Sequence, residues 1–300
     1  MNQLSIIEKI KKIKKTRNFS YLLDEKQDKE AIKKYYRVNK LAYLLFHNTS
    51  GYLHMGISEN EKYKKSDLTG QVKIIAREIK EIDASKILEL GYGCGTDLSF
   101  LAKIFPDKEF IGVDLANGPL KKNREKNINF IKGDFNDLKR LDDKFNVVFA
   151  IETLCYSSSL SQVLKEVNSV MATGGRLIIF DAYYLSTDDE YESEIEQACQ
   201  LVEHGMAVDK FHKLNDLRIT AEKAGFLIKK EMDLSDQIFP TMRRFEKLAE
   251  RYFKHPFLSK IINFLLPEMF IRNSLAGYLM PELVKSKIAG YYMHIFEKTA

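Results

Sequence analysis

The chain has 300 residues, of which 45% are hydrophobic and 30% charged, a balance that suits a packed globule and excludes a disordered chain. A net charge of +5 is too mild to require a nucleic-acid partner. The three cysteines, Cys94, Cys155 and Cys199, form no CxxC pair and no metal-ligand spacing, which leaves them as small packing residues in a reducing, cytoplasmic setting.

Neither a signal-peptide stretch nor a run of about 20 apolar residues is present. Residues 257–283 come nearest, but Lys260, Glu268 and Arg272 interrupt them and Pro267 would bend a helix there.

Residues 4–17 place Leu4, Ile6, Ile7, Ile10 and Ile13 at helical spacing, with Lys9, Lys11, Lys12, Lys14, Lys15 and Arg17 over the rest. Such a basic amphipathic helix either packs on its own domain with a solvated face or lies on an anionic membrane surface; packing is the commoner arrangement. A second helix is predicted over 28–46, with Ile32, Tyr35, Tyr36, Val38, Leu41 and Leu45 inward. A turn cluster, His47-Asn48-Thr49-Ser50-Gly51, follows. A helix over 67–80, capped by Ser66 or Asp67, leads into the core.

From Lys86 short apolar strands alternate with helices. Strands are predicted at 86–90, 109–114, 128–133, 145–151, 176–180, 226–232 and 291–298, with helices near 96–105, 118–126, 158–172 and 213–224. This alternation predicts an α/β fold: a doubly wound, mostly parallel sheet of seven strands with helices on both faces. Residues 186–212 and 235–288 break the alternation and read as helical additions over the ligand edge of the sheet. The expected organisation is an N-terminal helical lid (1–80), a Rossmann-like core (81–233) with an insertion near 186–212, a helical cap (234–288) and the last strand (289–300).

The most informative stretch is Ile87-Leu88-Glu89-Leu90-Gly91-Tyr92-Gly93-Cys94-Gly95-Thr96-Asp97, a strand ending in a glycine-rich turn that opens a helix. Ligands bind such sheets outside the carboxyl ends of the strands. A dinucleotide site wants G-x-G-x-x-G, but Thr96 stands where the third glycine belongs. Glu89 at the strand end would repel a pyrophosphate and suits a cationic ligand. A nicotinamide-dependent oxidoreductase is therefore disfavoured.

The E-x-G-x-G-x-G pattern resembles the first motif of class I S-adenosylmethionine-dependent methyltransferases. That resemblance implies cofactor contacts from Glu89, Gly91, Gly93 and Gly95, with S-adenosylhomocysteine as product. Asp114 ends the second strand and would accept both ribose hydroxyls. Asp134 follows the third strand and would accept from the adenine amino group, with Phe135 at the ring. A binding module that keeps the fold and methylates nothing is the competing class.

Two further segments resemble small-molecule methyltransferases acting on sterols, tocopherols and prenyl chains. Phe149-Ala150-Ile151-Glu152-Thr153-Leu154-Cys155-Tyr156 resembles the stretch that lines their acceptor pocket, with Tyr156 where His is common and Ser157-Ser158-Ser159 replacing the usual acidic or proline residues. Gly51-Tyr52-Leu53-His54-Met55-Gly56 resembles their Y-x-H-x-G closing segment. The resemblance implies C-methylation of a lipophilic, isoprenoid-like small molecule; O- or N-methylation of a specialised metabolite is the alternative.

Methylating an alkene carbon leaves a carbocation, which wants aromatic faces and a carboxylate. Glu152, His54 and Tyr52 are the catalytic candidates, and Tyr156, Tyr183 and Tyr184 the substrate-binding ones. Glu152 is alternatively a donor-positioning carboxylate, His54 a structural histidine and Asp181 a structural cap. Residues 257–266, with Tyr278, Leu279 and Met280, are expected to roof the acceptor pocket; a core stripe, a membrane contact or a homodimer contact are the other readings. No metal cluster and no basic stripe with interleaved aromatics is visible, so metal-independent transfer without nucleic acid is expected. Mg2+ would arrive only with a diphosphate acceptor held by Lys or Arg.

Overall fold

The computed structural model describes residues 3–299 except 24, 26, 44–46, 116–124, 187–190 and 266. Seven strands form one sheet: β1 (Lys86–Leu90), β2 (Glu109–Asp114), β3 (Ile128–Lys132), β4 (Phe145–Ile151), β5 (Met171–Tyr184), β6 (Phe226–Asp233) and β7 (Ala289–Lys298). Their order is β3-β2-β1-β4-β5-β7-β6. β1 to β5 pair in parallel, while β7 runs antiparallel between β5 and β6. The predicted Rossmann-like α/β class is what the chain adopts.

The helices are α1 (Gln3–Thr16), α2 (Lys29–Ala42), α3 (Gly70–Glu81), α4 (Thr96–Ile104), α5 (Leu160–Val170), α6 (Ser193–Gly205), α7 (Leu214–Lys223), α8 (Ser235–Lys254), α9 (Pro256–Leu265) and α10 (Glu268–Lys285). Most of the expected helix near 118–126, and the far end of the one over 28–46, lie outside the described residues.

Strand alternation sorts the core into two faces. Leu88, Leu90, Val148 and Ala150 pack with Leu160, Val163, Leu164 and Val167 of α5 and Leu217 and Ala221 of α7. Ile87, Val147, Phe149 and Phe180 pack with Val72, Ile75 and Ile79 of α3 and Leu98 of α4. A side chain on a strand reaches one face or the other, so continuous apolar runs are what a sheet covered on both sides requires. A third cluster joins α1, α6, α8 and α10 next to Cys155 and Tyr184 at the strand tips.

Three local readings need correction. Asp67 does not open the α-helix: its carboxylate accepts from the Lys64 N–H (2.7 Å) and Ser58 Oγ (2.6 Å), capping a short 3-10 helix, Lys65–Thr69, and α3 starts at Gly70. The helix over 158–172 ends at Val170, because Met171 already pairs with Phe145 before an irregularity at Gly174-Gly175 restores the register at Arg176. The start of α5 is set by Ser159, whose side chain accepts from the Gln162 N–H.

The third correction concerns the late apolar segment. Phe257, Ile261, Phe264 and Leu265 of α9 are exposed, so they roof nothing. Of the residues expected to roof the cavity, Met280 does line it, joined by Leu283 and Val284 of α10, while Tyr278 and Leu279 pack in the core. α1 packs on its own domain through Ile6, Ile10 and Ile13. Its Lys9 is buried against Glu246 (2.6 Å) and Glu282 (3.3 Å).

Candidate active site

The chain leaves β1 toward β2 on one side and reaches β4 on the other, so the crossover point lies between the tips of β1 and β4. There the two tips touch: a Cβ at Gly91 would sit 2.5 Å from the Thr153 side chain. Gly91 and Gly93 have φ of +72° and +51°, a region that favours glycine. A Cβ at Gly93 would also meet Leu53 at 2.9 Å. The loop thus passes directly beneath Leu53, in the segment expected to act as a lid. It is fastened by the Gly91 N–H donating to the Val113 carbonyl (2.7 Å) and the Gly93 N–H donating to Asp114 Oδ2 (2.8 Å).

A single cavity of about 680 Å³ opens over this loop. Glu89, Gly91, Gly93, Asp97, Asp114 and Phe135 line one part of it. Glu89 is fully buried, and its Oε2 has no hydrogen-bond partner. Burial, then the nearby Asp97 and Asp114 carboxylates, push its pKa well above the usual carboxylate range. A buried, unpartnered acid among other acids asks for a cation. The methionyl ammonium and the sulfonium of S-adenosylmethionine would supply positive charge there, and the residues suit that cofactor: Glu89 and the glycine loop would hold its amino-acid end and Asp114 a ribose.

The lid segment is held over the cavity by converging bonds. Asn48 Oδ1 accepts from the N–H groups of Ser50, Gly51 and Tyr52, and Asn48 Nδ2 donates to the Tyr52 carbonyl (2.7 Å). The Met55 N–H donates to Glu152 Oε1 (2.7 Å), and Gln71 Nε2 donates to the Met55 carbonyl (2.7 Å). Thr241 Oγ1 of α8 accepts from the Gly56 N–H (3.2 Å).

Glu152 sits at the β4 tip with φ +50°. That left-handed conformation costs a β-carbon-bearing residue about 1 kcal/mol or more, and such strain gathers at working sites. Burial raises its pKa against the opposing pull of His54, the Met55 N–H and Tyr291.

His54 is held at both nitrogens, Nε2 on Asp97 Oδ1 (3.2 Å) and Nδ1 on the Met55 carbonyl (2.8 Å). Burial works against its charge, but Asp97 outweighs it and lifts the pKa to about 9. An imidazolium whose two N–H groups are both engaged takes no further proton, so His54 is corrected from a base to a cationic strut under the lid. Tyr52 is corrected too: it lies off the cavity wall, its ring edge-on to His54 at 5.4 Å.

Asp134 also departs from expectation. Its oxygens accept from Lys29 Nζ (2.5 Å) and from the Asn136 N–H and Nδ2 groups. Burial opposes its charge, yet these donors hold it below the usual carboxylate range. Phe135 and Asn136 reach the cavity wall instead. Gly95 is also off the wall and serves as the left-handed cap of α4.

The rest of the cavity is lined by tyrosines, by aliphatic residues and by Lys29, Lys33, Lys34 and Arg37 of α2. Tyr156 donates to the Met206 carbonyl (3.2 Å) and meets the Tyr36 ring edge-on at 5.7 Å. Tyr184 donates to Glu203 Oε1 (2.8 Å). Tyr183 is buried with its hydroxyl unpartnered. Asp181 accepts from the Cys155 N–H (3.0 Å) and its own neighbour's N–H (2.9 Å), and burial raises its pKa to about 7. It lines the cavity while capping the turn after β4, so the two roles foreseen for it coexist. Sequence reasoning missed Asp97, Tyr43 and Tyr291 on the wall and took Tyr36 for a packing residue. The signal for Asp97 was a carboxylate in the first turn of the helix that the glycine loop opens.

The His54–Asp97 pair sets a pH dependence. Because the folded pKa exceeds the ordinary 6.5, its stabilisation is complete below about pH 6.5 and is lost as pH rises through 9. Urea unfolding should show stability falling over that window by at most roughly 1.4 kcal/mol per pH unit. Asp181 and Glu203, both raised to about 7 by burial, tilt the curve the same way at lower pH. The comparison with Asp97→Asn isolates His54: that variant should flatten the slope above pH 7, and an unchanged slope would dismiss the pair.

Strand order, glycine loop and acid-lined crevice together define a Rossmann-like nucleoside-binding domain. Residues 81–225 match the family model of a methyltransferase domain. That match covers 145 of the 300 residues, just under half of the chain, and marks them as a methyltransferase domain. The chain is similar to a sterol 24-C-methyltransferase of Kluyveromyces lactis, 28% identical over 166 residues, 53% of this chain and 44% of that protein. The match therefore spans less than half the length of that curated relative. The fold is shared with the cyclopropane synthase MmaA2 of Mycobacterium tuberculosis, at TM-score 0.71, 10% identity and coverage of 90% and 98%. It is also shared with a geranyl diphosphate C-methyltransferase of Streptomyces coelicolor solved with Mg2+, geranyl diphosphate and S-adenosyl-L-homocysteine, at TM-score 0.59, 12% identity and coverage of 90% and 97%.

Proposed function

We propose that this protein transfers a methyl group from S-adenosylmethionine to a carbon of a lipophilic, isoprenoid-like small molecule. One observation carries the reading: the acid-lined crevice and a wall of Tyr36, Tyr43, Tyr156, Tyr183, Tyr184 and Tyr291 belong to one cavity, with Glu152 on its lining. The sterol acceptor named for the Kluyveromyces relative and the geranyl diphosphate bound by the Streptomyces enzyme support a lipophilic acceptor here.

S-adenosylmethionine supplies an electrophilic methyl group and leaves as S-adenosylhomocysteine. Glu89 and Asp114 bind and orient the donor, and the lid with its His54–Asp97 strut excludes water, so alignment supplies most of the rate. Tyrosine faces stabilise the positive charge that develops on the acceptor carbon. Glu152 takes the neighbouring C–H proton, and that C–H electron pair closes a double bond. Its raised pKa makes it a better proton acceptor than a solvated carboxylate.

The test is incubation with deuterated-methyl donor and a panel of lipophilic metabolites, read by mass spectrometry. Label on carbon is expected. Label on oxygen or nitrogen replaces the acceptor chemistry, and no label on any metabolite favours the non-catalytic module.

A further inference from the structure

α9 is amphipathic in the reverse sense. Its polar Ser259 is buried and donates to the Tyr252 (3.1 Å) and His255 (2.9 Å) carbonyls of the α8 end. Its Asn263 accepts from the Tyr252 hydroxyl (2.7 Å). With Ser259 and Asn263 pinned inward and Ile262 packed on the core, four apolar side chains are left outward: Phe257 is 78% exposed, Phe264 89%, Leu265 66% and Ile261 40%. Their spacing is i, i+4, i+7, i+8, one face of a helix. Single exposed apolar residues are ordinary; four on one face of a ten-residue helix form a patch that marks a contact.

The elements that adjoin the patch carry exposed cations. Arg17 Nη1 donates to Asn263 Oδ1 (3.4 Å), which brings the end of α1 against α9. Lys12 and Lys15 on α1, Arg251 on α8 and Lys260 on α9 itself are exposed. None of these four has an ion-pair partner among the described residues. α9 carries no acid of its own. The nearby acids are engaged: Glu250 with Lys254 (2.5 Å), and Glu268 with Arg272 (2.9 Å) and Arg17 (4.0 Å).

We propose that α9 and the adjoining end of α1 form a docking surface for an anionic lipid bilayer. The outward Phe257, Ile261, Phe264 and Leu265 enter the headgroup–acyl boundary, while the lysines and Arg251 meet lipid phosphates. Charge complementarity selects this occupant over a second copy of the chain. A two-fold contact would set one cationic rim against the other. The proposal is independent of the acceptor identity.

The test is flotation of the full chain with phosphatidylcholine vesicles, with and without one quarter phosphatidylglycerol. Binding to the anionic vesicles is expected to exceed that to the neutral ones by about tenfold and to fall when NaCl is raised to 0.5 M, as screening requires. A Phe257→Ser/Phe264→Ser double variant should lose about tenfold in partitioning. Its melting temperature should be unchanged, because both rings are already in water. If it melts early, a Lys12→Glu/Lys15→Glu variant decides instead, with the same expected loss. Equal recovery on neutral and anionic vesicles, wild-type partitioning of a folded variant, or a sedimenting dimer that the variants disperse without vesicle binding would overturn the proposal.

Discussion

Asp114→Ala should weaken S-adenosylmethionine binding by about a hundredfold in titration calorimetry. Asp114 ends β2 on the cavity wall, and its Oδ2 already fastens the glycine loop through the Gly93 N–H. In the proposed site, removing it would strip a charged acceptor from the ribose and release the loop held through the Gly93 N–H. A hydrogen bond to a charged group is worth about 1.5–3 kcal/mol, so losing one or two reaches the hundredfold range. Asp114→Asn, which keeps an oxygen for the Gly93 N–H, should fall between variant and wild type. Unchanged affinity in the alanine variant would take Asp114 out of the donor site.

The second large effect separates binding from chemistry. Glu152→Gln preserves shape and an oxygen for the Met55 N–H, so donor affinity should stay within about threefold. Turnover should fall by 10²- to 10⁴-fold, the usual worth of a positioned proton acceptor. A loss of donor affinity matching the loss of turnover would make Glu152 a positioning group, the alternative its place under the lid allows. Turnover equal to wild type would remove it from the proton step.

Much of this was readable from residue order. The strands are continuous apolar runs because both sheet faces are covered, and all seven lie over the expected runs, β5 reaching well beyond its own at both ends. Glu89, Gly91, Gly93 and Asp114 were readable because a strand-end acid, a glycine turn and the acid ending the next strand are separated by nearly fixed distances along the chain. Tyr183, Tyr184 and Phe135 followed from lying at or just past strand ends, while Glu152 and Tyr156 came from the resemblance of residues 149–156 to a known acceptor-pocket segment.

The misreadings share a cause. Asp134 also follows a strand, but α2 brings Lys29 onto it from 105 positions earlier in the chain. His54 looked like a base because its partner, Asp97, lies 43 residues on. The Phe- and Leu-rich stretch of α9 promised a roof, and the inward hydrogen bonds of Ser259 and Asn263 turned it outward.

Periodicity and motif spacing are local, and they were enough to specify the sheet and the loop, while the kind of ligand came from the resemblance of that loop to a methyltransferase motif. Which charge answers which, which helix face turns inward, and where β7 inserts between β5 and β6 depend on pairings between distant segments. Those pairings formed only when packing selected one arrangement of the whole chain.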